Sequence, residues 1–140
     1  MILLDTNILS EVMCDEPDPR VLAWLDAQAP DHVFTSTITE AEIRFGIALL
    51  AEGRRKALLC VAADRLFVET LSGRILPFGR DAALHYAALA SERRRSGNPI
   101  STADCQIASI ARAASLSLAT RNIRDFDPCG VPVINPWETV

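Results

Sequence analysis

Met1-Ile2-Leu3-Leu4-Asp5-Thr6-Asn7 opens the chain and decides how the rest of it is read. A short apolar run is stopped abruptly by an acid, a hydroxyl and an amide. The run predicts a buried strand over residues 1–5. Asp5-Thr6-Asn7 predicts the start of a helix through about Val12. The same pattern of strand, polar residues and helix then recurs along the chain. Pro17 and Pro19 break the backbone, and Pro19 opens a helix through Ala29. Val33–Thr35 reads as a second strand. Ser36-Thr37 caps a helix to about Glu52, which Gly53 ends. Residues 54–72 read as an amphipathic helix with Leu58, Leu59, Ala62, Leu66 and Phe67 on one face. Arg74–Leu76 is a third strand, and residues 80–95 and 102–115 are helices. Leu116–Ala119 is a fourth strand. Val131–Val133 is a fifth, placed at the sheet edge because Pro132 has no N–H to donate.

Short apolar strands alternating with helices predict an α/β fold: a three-layer α/β/α sandwich around a short, mainly parallel sheet. The whole chain, 1–140, is expected to be one domain, since 140 residues bury a sufficient core without staples. Apolar residues at 49% and charged residues at 23% exclude a disordered chain. A net charge of −4 argues against a surface that binds nucleic acid all over and leaves room for a local basic patch. Cys14, Cys60, Cys105 and Cys129 show no C-x-x-C spacing, and His32 and His85 are the only histidines, so no structural zinc site is expected. Free thiols in a reducing cytoplasm are the expectation. The N-terminus lacks a basic segment ahead of its apolar run, and no stretch approaches the roughly 18 apolar residues of a membrane span.

Ligands of parallel sheets sit beyond the carboxyl ends of the strands. Asp5, Thr6 and Asn7 follow the first strand, and Ser36 and Glu42 follow the second. Asp104 begins the helix before the fourth strand, which is followed by Thr120-Arg121-Asn122-Ile123-Arg124-Asp125. Acids converging on one edge with only oxygen ligands suit Mg²⁺ or Mn²⁺. Each acid also has a purely structural explanation. Asp5 suits a helix N-cap, and Ser101-x-x-Asp104 and Thr39-x-x-Glu42 both fit a capping box. Stepping around the helix from Ile38 groups Ile38, Ala41, Phe45 and Leu49 on one face with Glu42 among them. A carboxylate on a core-facing stripe needs a partner. Glu40 points away and pairs with Arg44.

Four blocks together resemble the PIN domain, and most closely the toxin nucleases of VapBC or FitAB type toxin–antitoxin pairs. They are Ile2-Leu3-Leu4-Asp5-Thr6-Asn7, Thr35–Gly46, Ile100-Ser101-Thr102-Ala103-Asp104 and Leu118-Ala119-Thr120-Arg121-Asn122. Asn135-Pro136-Trp137-Glu138 resembles the end of the FitB-like branch. The resemblance implies a Mg²⁺-dependent (or Mn²⁺-dependent) cytoplasmic endoribonuclease leaving a 5′-phosphate and a 3′-hydroxyl. It implies Asp5, Glu42 and Asp104 as metal ligands, and a homodimer wrapped by an antitoxin that carries the operator-DNA affinity. Some relatives have an aspartate where this chain has Asn122. Asn122 offers a carbonyl oxygen without charge, and Asp125 is the candidate to replace it.

Thr6, Ser36 and Thr120 are candidates to position water or phosphate. Arg121 and Arg124 are the phosphate contacts nearest the acids. Arg54-Arg55-Lys56 and Arg93-Arg94-Arg95 are more distant basic runs. Aromatics at 6% offer no ladder on which bases would stack. Two other readings stand beside this one: a catalytically impaired PIN fold that only binds antitoxin or RNA, and an aspartyl-phosphate enzyme. The second needs a neighbouring acid that Asp5-Thr6-Asn7 does not supply.

Overall fold

The structure, a computed structural model, describes residues 1–138. Five strands, β1 (Ile2–Leu4), β2 (Val33–Ser36), β3 (Ile75–Leu76), β4 (Ser117–Ala119) and β5 (Val133–Ile134), form one sheet. Their order is β3-β2-β1-β4-β5, and all pair in parallel. The chain leaves central β1 toward β2 on one side and later fills β4 on the other. The carboxyl ends of β1 and β4 therefore flank the crevice where the strand order reverses.

Alternation along β1 divides the core. Ile2 and Leu4 join Ile8, Leu9, Val21, Ile43, Ile47 and Phe67 beneath helices α1 (Thr6–Met13), α2 (Pro19–Asp26), α3 (Thr37–Ala48) and α4 (Arg54–Asp64). Leu3 faces the other way, with Leu89, Ile107, Ile110, Leu118 and Phe126. That layer is α5 (Arg80–Arg95), α6 (Thr102–Ala113) and the short α7 (Ile123–Phe126). The two-residue period of a strand puts neighbours on opposite faces, and helices cover both. The expected α/β/α sandwich is what the chain forms, and β5 sits at the sheet edge as expected but spans Val133–Ile134 rather than Val131–Val133, with Pro132 just ahead of it. The four cysteines are free thiols.

Two helices differ from expectation. In α3 the buried residues are Thr39, Ile43 and Ile47, while Ala41, Phe45 and Leu49 are exposed. The strip expected to face the core faces outward, and Glu42 is exposed at its flank rather than buried. The period alone allowed either strip. Docking against α1 selected the Ile43–Ile47 side. The helix expected over 54–72 ends as α4 at Asp64 and widens into a π-helical turn over Arg65–Thr70. Steps of four residues overshoot an α-helical turn. The wider winding keeps Ala63, Phe67 and Leu71 on the core side, while Leu58 and Ala62 of the expected apolar face are exposed.

Arg93 is also not where a basic run would place it. It is buried, and its guanidinium donates to the carbonyls of Asn98 (2.8 Å), Asp125 (3.1 Å) and Pro128 (3.4 Å). The helix it closes ends in a Schellman turn. Asn98 N–H donates to the Arg93 carbonyl and Gly97 N–H to that of Arg94, with Gly97 at φ 75°. Arg93 thus ties the end of α5 to α7 rather than meeting RNA. Arg93→Met leaves three carbonyls without their donor. A loss of about 2–4 kcal/mol is expected in urea unfolding, against a negligible change for neighbouring exposed Arg94→Met.

Candidate active site

Asp5 emerges from β1 in extended conformation and caps α1, where its Oδ1 accepts from Thr6 N–H at 2.8 Å. The capping explanation is therefore correct, and the same carboxylate also lines the cleft described below, so the two placements are compatible. Its Oδ2 accepts from the Thr120 hydroxyl at 2.7 Å and from Asn7 Nδ2 at 3.3 Å. Thr120 stands at the end of β4, fully buried, and its hydroxyl also accepts from Asn7 Nδ2 (3.2 Å) and Asn122 N–H (3.1 Å). Asn7 closes the ring, since its Oδ1 accepts from Arg121 N–H at 3.1 Å. One asparagine so locks the ends of β1 and β4 into register.

Glu42 arrives from α3, and the Thr6 hydroxyl donates to its Oε1 at 2.6 Å while lying 3.2 Å from the Thr39 hydroxyl. The cap of α3 is Ser36, whose Oγ accepts from Thr39 N–H at 3.1 Å, so the alternative box pairing Thr39 with Glu42 does not form. At α6 the serine half of the box forms. Ser101 Oγ accepts from Asp104 N–H at 3.2 Å and orients half-buried Asp104 at the helix start.

These side chains line a cleft of about 460 Å³ with Ser10, Glu11, Arg121, Asn122 and Trp137. Asp5, Thr6, Glu42, Asp104, Arg121 and Asn122 are brought together as the sequence predicts. Arg124 and Asp125 are not. They line an adjoining cleft of about 470 Å³, which shares Arg121 and Asn122 with the first. Ser36 and Thr120 are corrected from substrate contacts to internal supports, because both are wholly buried with their hydroxyls engaged. Asn7 and Trp137 were not picked out as site residues. Asn7 was signalled by its place beside Asp5 at a strand end. Trp137 was signalled only by the resemblance of Asn135-Pro136-Trp137-Glu138 to the end of the FitB-like branch, being far in sequence from Asp5, Glu42 and Asp104.

Burial raises the Asp5 carboxyl to about 6, against hydrogen bonds from Thr120 and Thr6, and the charges of Asp104 and Glu42 add to the rise. Asp104 is raised in the same way, by desolvation first and then by Asp125 and Glu42. The acids therefore feel one another across the cleft, which is the repulsion a cation relieves. Among the described residues no three Asp, Glu, His or Cys side chains are arranged to hold a metal ion as they stand. Thr6 holds Glu42, Thr120 holds Asp5, and Ser101 holds Asp104. The donor chemistry is that of a hard divalent cation, while the carboxylates are parked on hydroxyls.

Thr120→Val keeps the side-chain shape and removes the hydroxyl. The Asp5 carboxyl then loses its strongest donor, and its titration is expected to move above about 6 in a carboxyl NMR titration. Stability at neutral pH falls by about 1–3 kcal/mol.

The parallel five-stranded sheet and the acid cleft at its switch point define a class, and sequence comparison agrees with it. The family model of the PIN domain matches residues 2–128, and the chain belongs to that family. It is similar to a VapC ribonuclease of Sinorhizobium fredii, 43% identical over 138 residues covering 99% of each chain. It is also similar to the toxin FitB of Neisseria gonorrhoeae, 42% identical over 137 residues covering 98% of this chain and 99% of the relative. Among solved structures, a chain of FitAB bound to a DNA fragment superposes with a TM-score of 0.93 at 41% identity, covering 100% of this chain and 98% of that one.

Proposed function

We propose that this chain is an endoribonuclease toxin of a toxin–antitoxin pair, using Mg²⁺ or Mn²⁺ at the acid cleft to hydrolyse RNA phosphodiesters. The observation that carries the reading is the convergence of Asp5, Glu42 and Asp104 from three separate elements on one cleft, with Arg121 at its margin. Asp5, Glu42 and Asp104 would hold the cation, and Asn122 adds an uncharged amide. Such an ion supplies charge stabilisation at the phosphate and an activated water.

The chain's own residues do the rest. Asn7 and Thr120 hold Asp5 in place, so its lone pairs are preorganised. Thr6, released from Glu42, offers a hydroxyl to water or phosphate. Arg121 and Arg124 carry positive charge along two joined clefts, a track for a phosphate backbone.

The antitoxin assignment rests on the toxin name of the FitB relative and the FitAB complex, together with surface chemistry. A groove of about 760 Å³ runs between α1, α3 and α4, lined by Met13, Ile43, Ile47, Leu58 and Leu59. It meets the acid cleft at Thr6 and Glu42. An antitoxin segment lying in it brings a basic side chain within reach of the acids. Exposed Phe45, Leu49 and Val68 supply apolar surface for a second copy of the chain. No helix among the described residues is long and apolar enough to cross a membrane; a cytoplasmic site of action is part of the proposal and follows from the toxin reading.

The test is cleavage of RNA by the purified chain with Mn²⁺, together with growth arrest on expression and its relief by a co-expressed antitoxin. RNA binding without cleavage at any Mn²⁺ concentration would instead support the impaired PIN fold, for which uncharged Asn122 is the supporting observation.

A further inference from the structure

Trp137 lies near the end of the chain, yet it lines the acid cleft beside Asp5, Glu42 and Asp104. It is 6% exposed and belongs to the core of the α1–α4 layer. Its backbone is pinned as well: Asn135 Oδ1 accepts from Trp137 N–H at 3.0 Å, and Glu138 N–H donates to the Asn135 carbonyl at 3.1 Å. Over this fixed ring stands the exposed side chain of Arg121, its guanidinium carbon 5.0 Å from the ring centre. Asn7 holds the Arg121 backbone N–H at 3.1 Å.

An unrestrained arginine beside the carboxylates of Asp5, Glu11, Glu42 and Asp104 would fold onto them. Among the described residues, no carboxylate lies within ion-pairing distance of Arg121. Nearby Asp18 is already paired with Arg20 at 2.8 Å. The cation–π contact with Trp137 explains the separation. With its guanidinium carbon 5.0 Å above the ring centre, the cation is held by attraction to the indole face, and among the described residues no hydrogen bond engages its side-chain N–H donors. The acids are thereby left open for a cation, and the donors for a phosphate.

We propose that Trp137 is a positioning residue: its ring holds the Arg121 guanidinium at the mouth of the acid cleft, where it takes an RNA backbone phosphate adjoining the one cleaved. Arg121 lines both the acid cleft and its neighbour, so the phosphate it takes is the one where the strand passes between them. The inference rests on the nuclease reading above and names how that site grips its substrate.

The experiment compares variants on one single-stranded oligoribonucleotide. Cleavage with Mn²⁺ gives kcat and KM, and fluorescence anisotropy with Ca²⁺ across a salt series gives the binding slope. Trp137→Leu is expected to raise KM about two- to fivefold, with a smaller change in kcat. It should flatten the log–log salt slope by about 0.7, one phosphate contact on a single strand. Arg121→Ala should reproduce both effects, the double variant should be no worse than Arg121→Ala, and Trp137→Phe should restore near-normal KM. A loss of folding would change active fraction and kcat and leave the slope alone. Should Trp137→Leu not fold, Arg121→Lys keeps the charge and loses the flat face, and the same KM rise is expected. A normal salt slope in Trp137→Leu, additive single-variant effects or a normal KM in Arg121→Lys overturns the inference and leaves the nuclease reading intact. A wild-type chain that neither binds nor cuts the oligonucleotide removes both.

Discussion

Asp5→Asn is expected to lower RNA cleavage by about 10³-fold or more at saturating Mn²⁺, a barrier increase of about 4 kcal/mol. Asp5 is the most buried of the three proposed metal ligands and the one whose position is most tightly determined. Oδ1 is held by a backbone N–H, and Oδ2 by a hydroxyl and an amide. Asparagine keeps the size of the side chain and the oxygen that caps α1, so the fold is preserved while the charge is removed. Glu42→Gln is expected to cost less, because Glu42 is exposed and can be replaced by water. The measurement is single-turnover cleavage alongside thermal unfolding of each variant. Wild-type cleavage by folded Asp5→Asn would move the chemistry out of this cleft.

The second large effect is on stability, and its sign is set by the raised carboxyls. Asp5 moves from an ordinary 3.8 to about 6 in the folded chain. The folded state therefore holds a proton that the unfolded state has already released. Stability from this group is fully present below about pH 4 and is lost as pH rises through about 6. The shift corresponds to about 3 kcal/mol. Asp104 is displaced in the same direction and adds to the loss. Asp18, lowered by its bonds to Arg20, acts oppositely, and its contribution disappears only below about pH 4. Between pH 4 and 6 the metal-free chain should accordingly become easier to unfold. Mg²⁺ or Mn²⁺ should reverse this, because a cation bound only by the folded state stabilises it, and does so most where the acids are ionised. Thermal melts in chelator and in millimolar Mn²⁺ from pH 4.5 to 7.5 read both effects. Equal melting shifts at pH 4.5 and pH 7.5 would show that the cation binds elsewhere.

Much of the site was legible because strand ends are legible. Asp5 follows three apolar residues, Thr120 follows Ser117–Ala119, and a parallel sheet gathers such positions on one edge. Glu42 was reached by an argument that the structure reverses. It is not buried on a core stripe, and its capture by Thr6 across 36 residues of chain is what places it in the cleft. Arg93 looked like one of three interchangeable surface arginines and is buried, because only the packing of α5 against α6 and α7 decides which member of the run turns inward. Ser36 and Thr120 had the right chemistry and the wrong exposure. Hydroxyls at strand ends serve caps and buried carboxylates as readily as substrates.

The sequence by itself determined the alternation of strands and helices, the parallel sheet that follows from it, and the edge on which the acids would collect. Those are local consequences of side-chain period, caps and breakers, which act within a few residues. Only the tertiary structure decided which strip of α3 faces inward, which arginine is buried, and that Trp137 returns to stand under Arg121. Such outcomes depend on contacts between elements distant in the chain, where the competing arrangements have the same local pattern and differ only in how their surfaces fit.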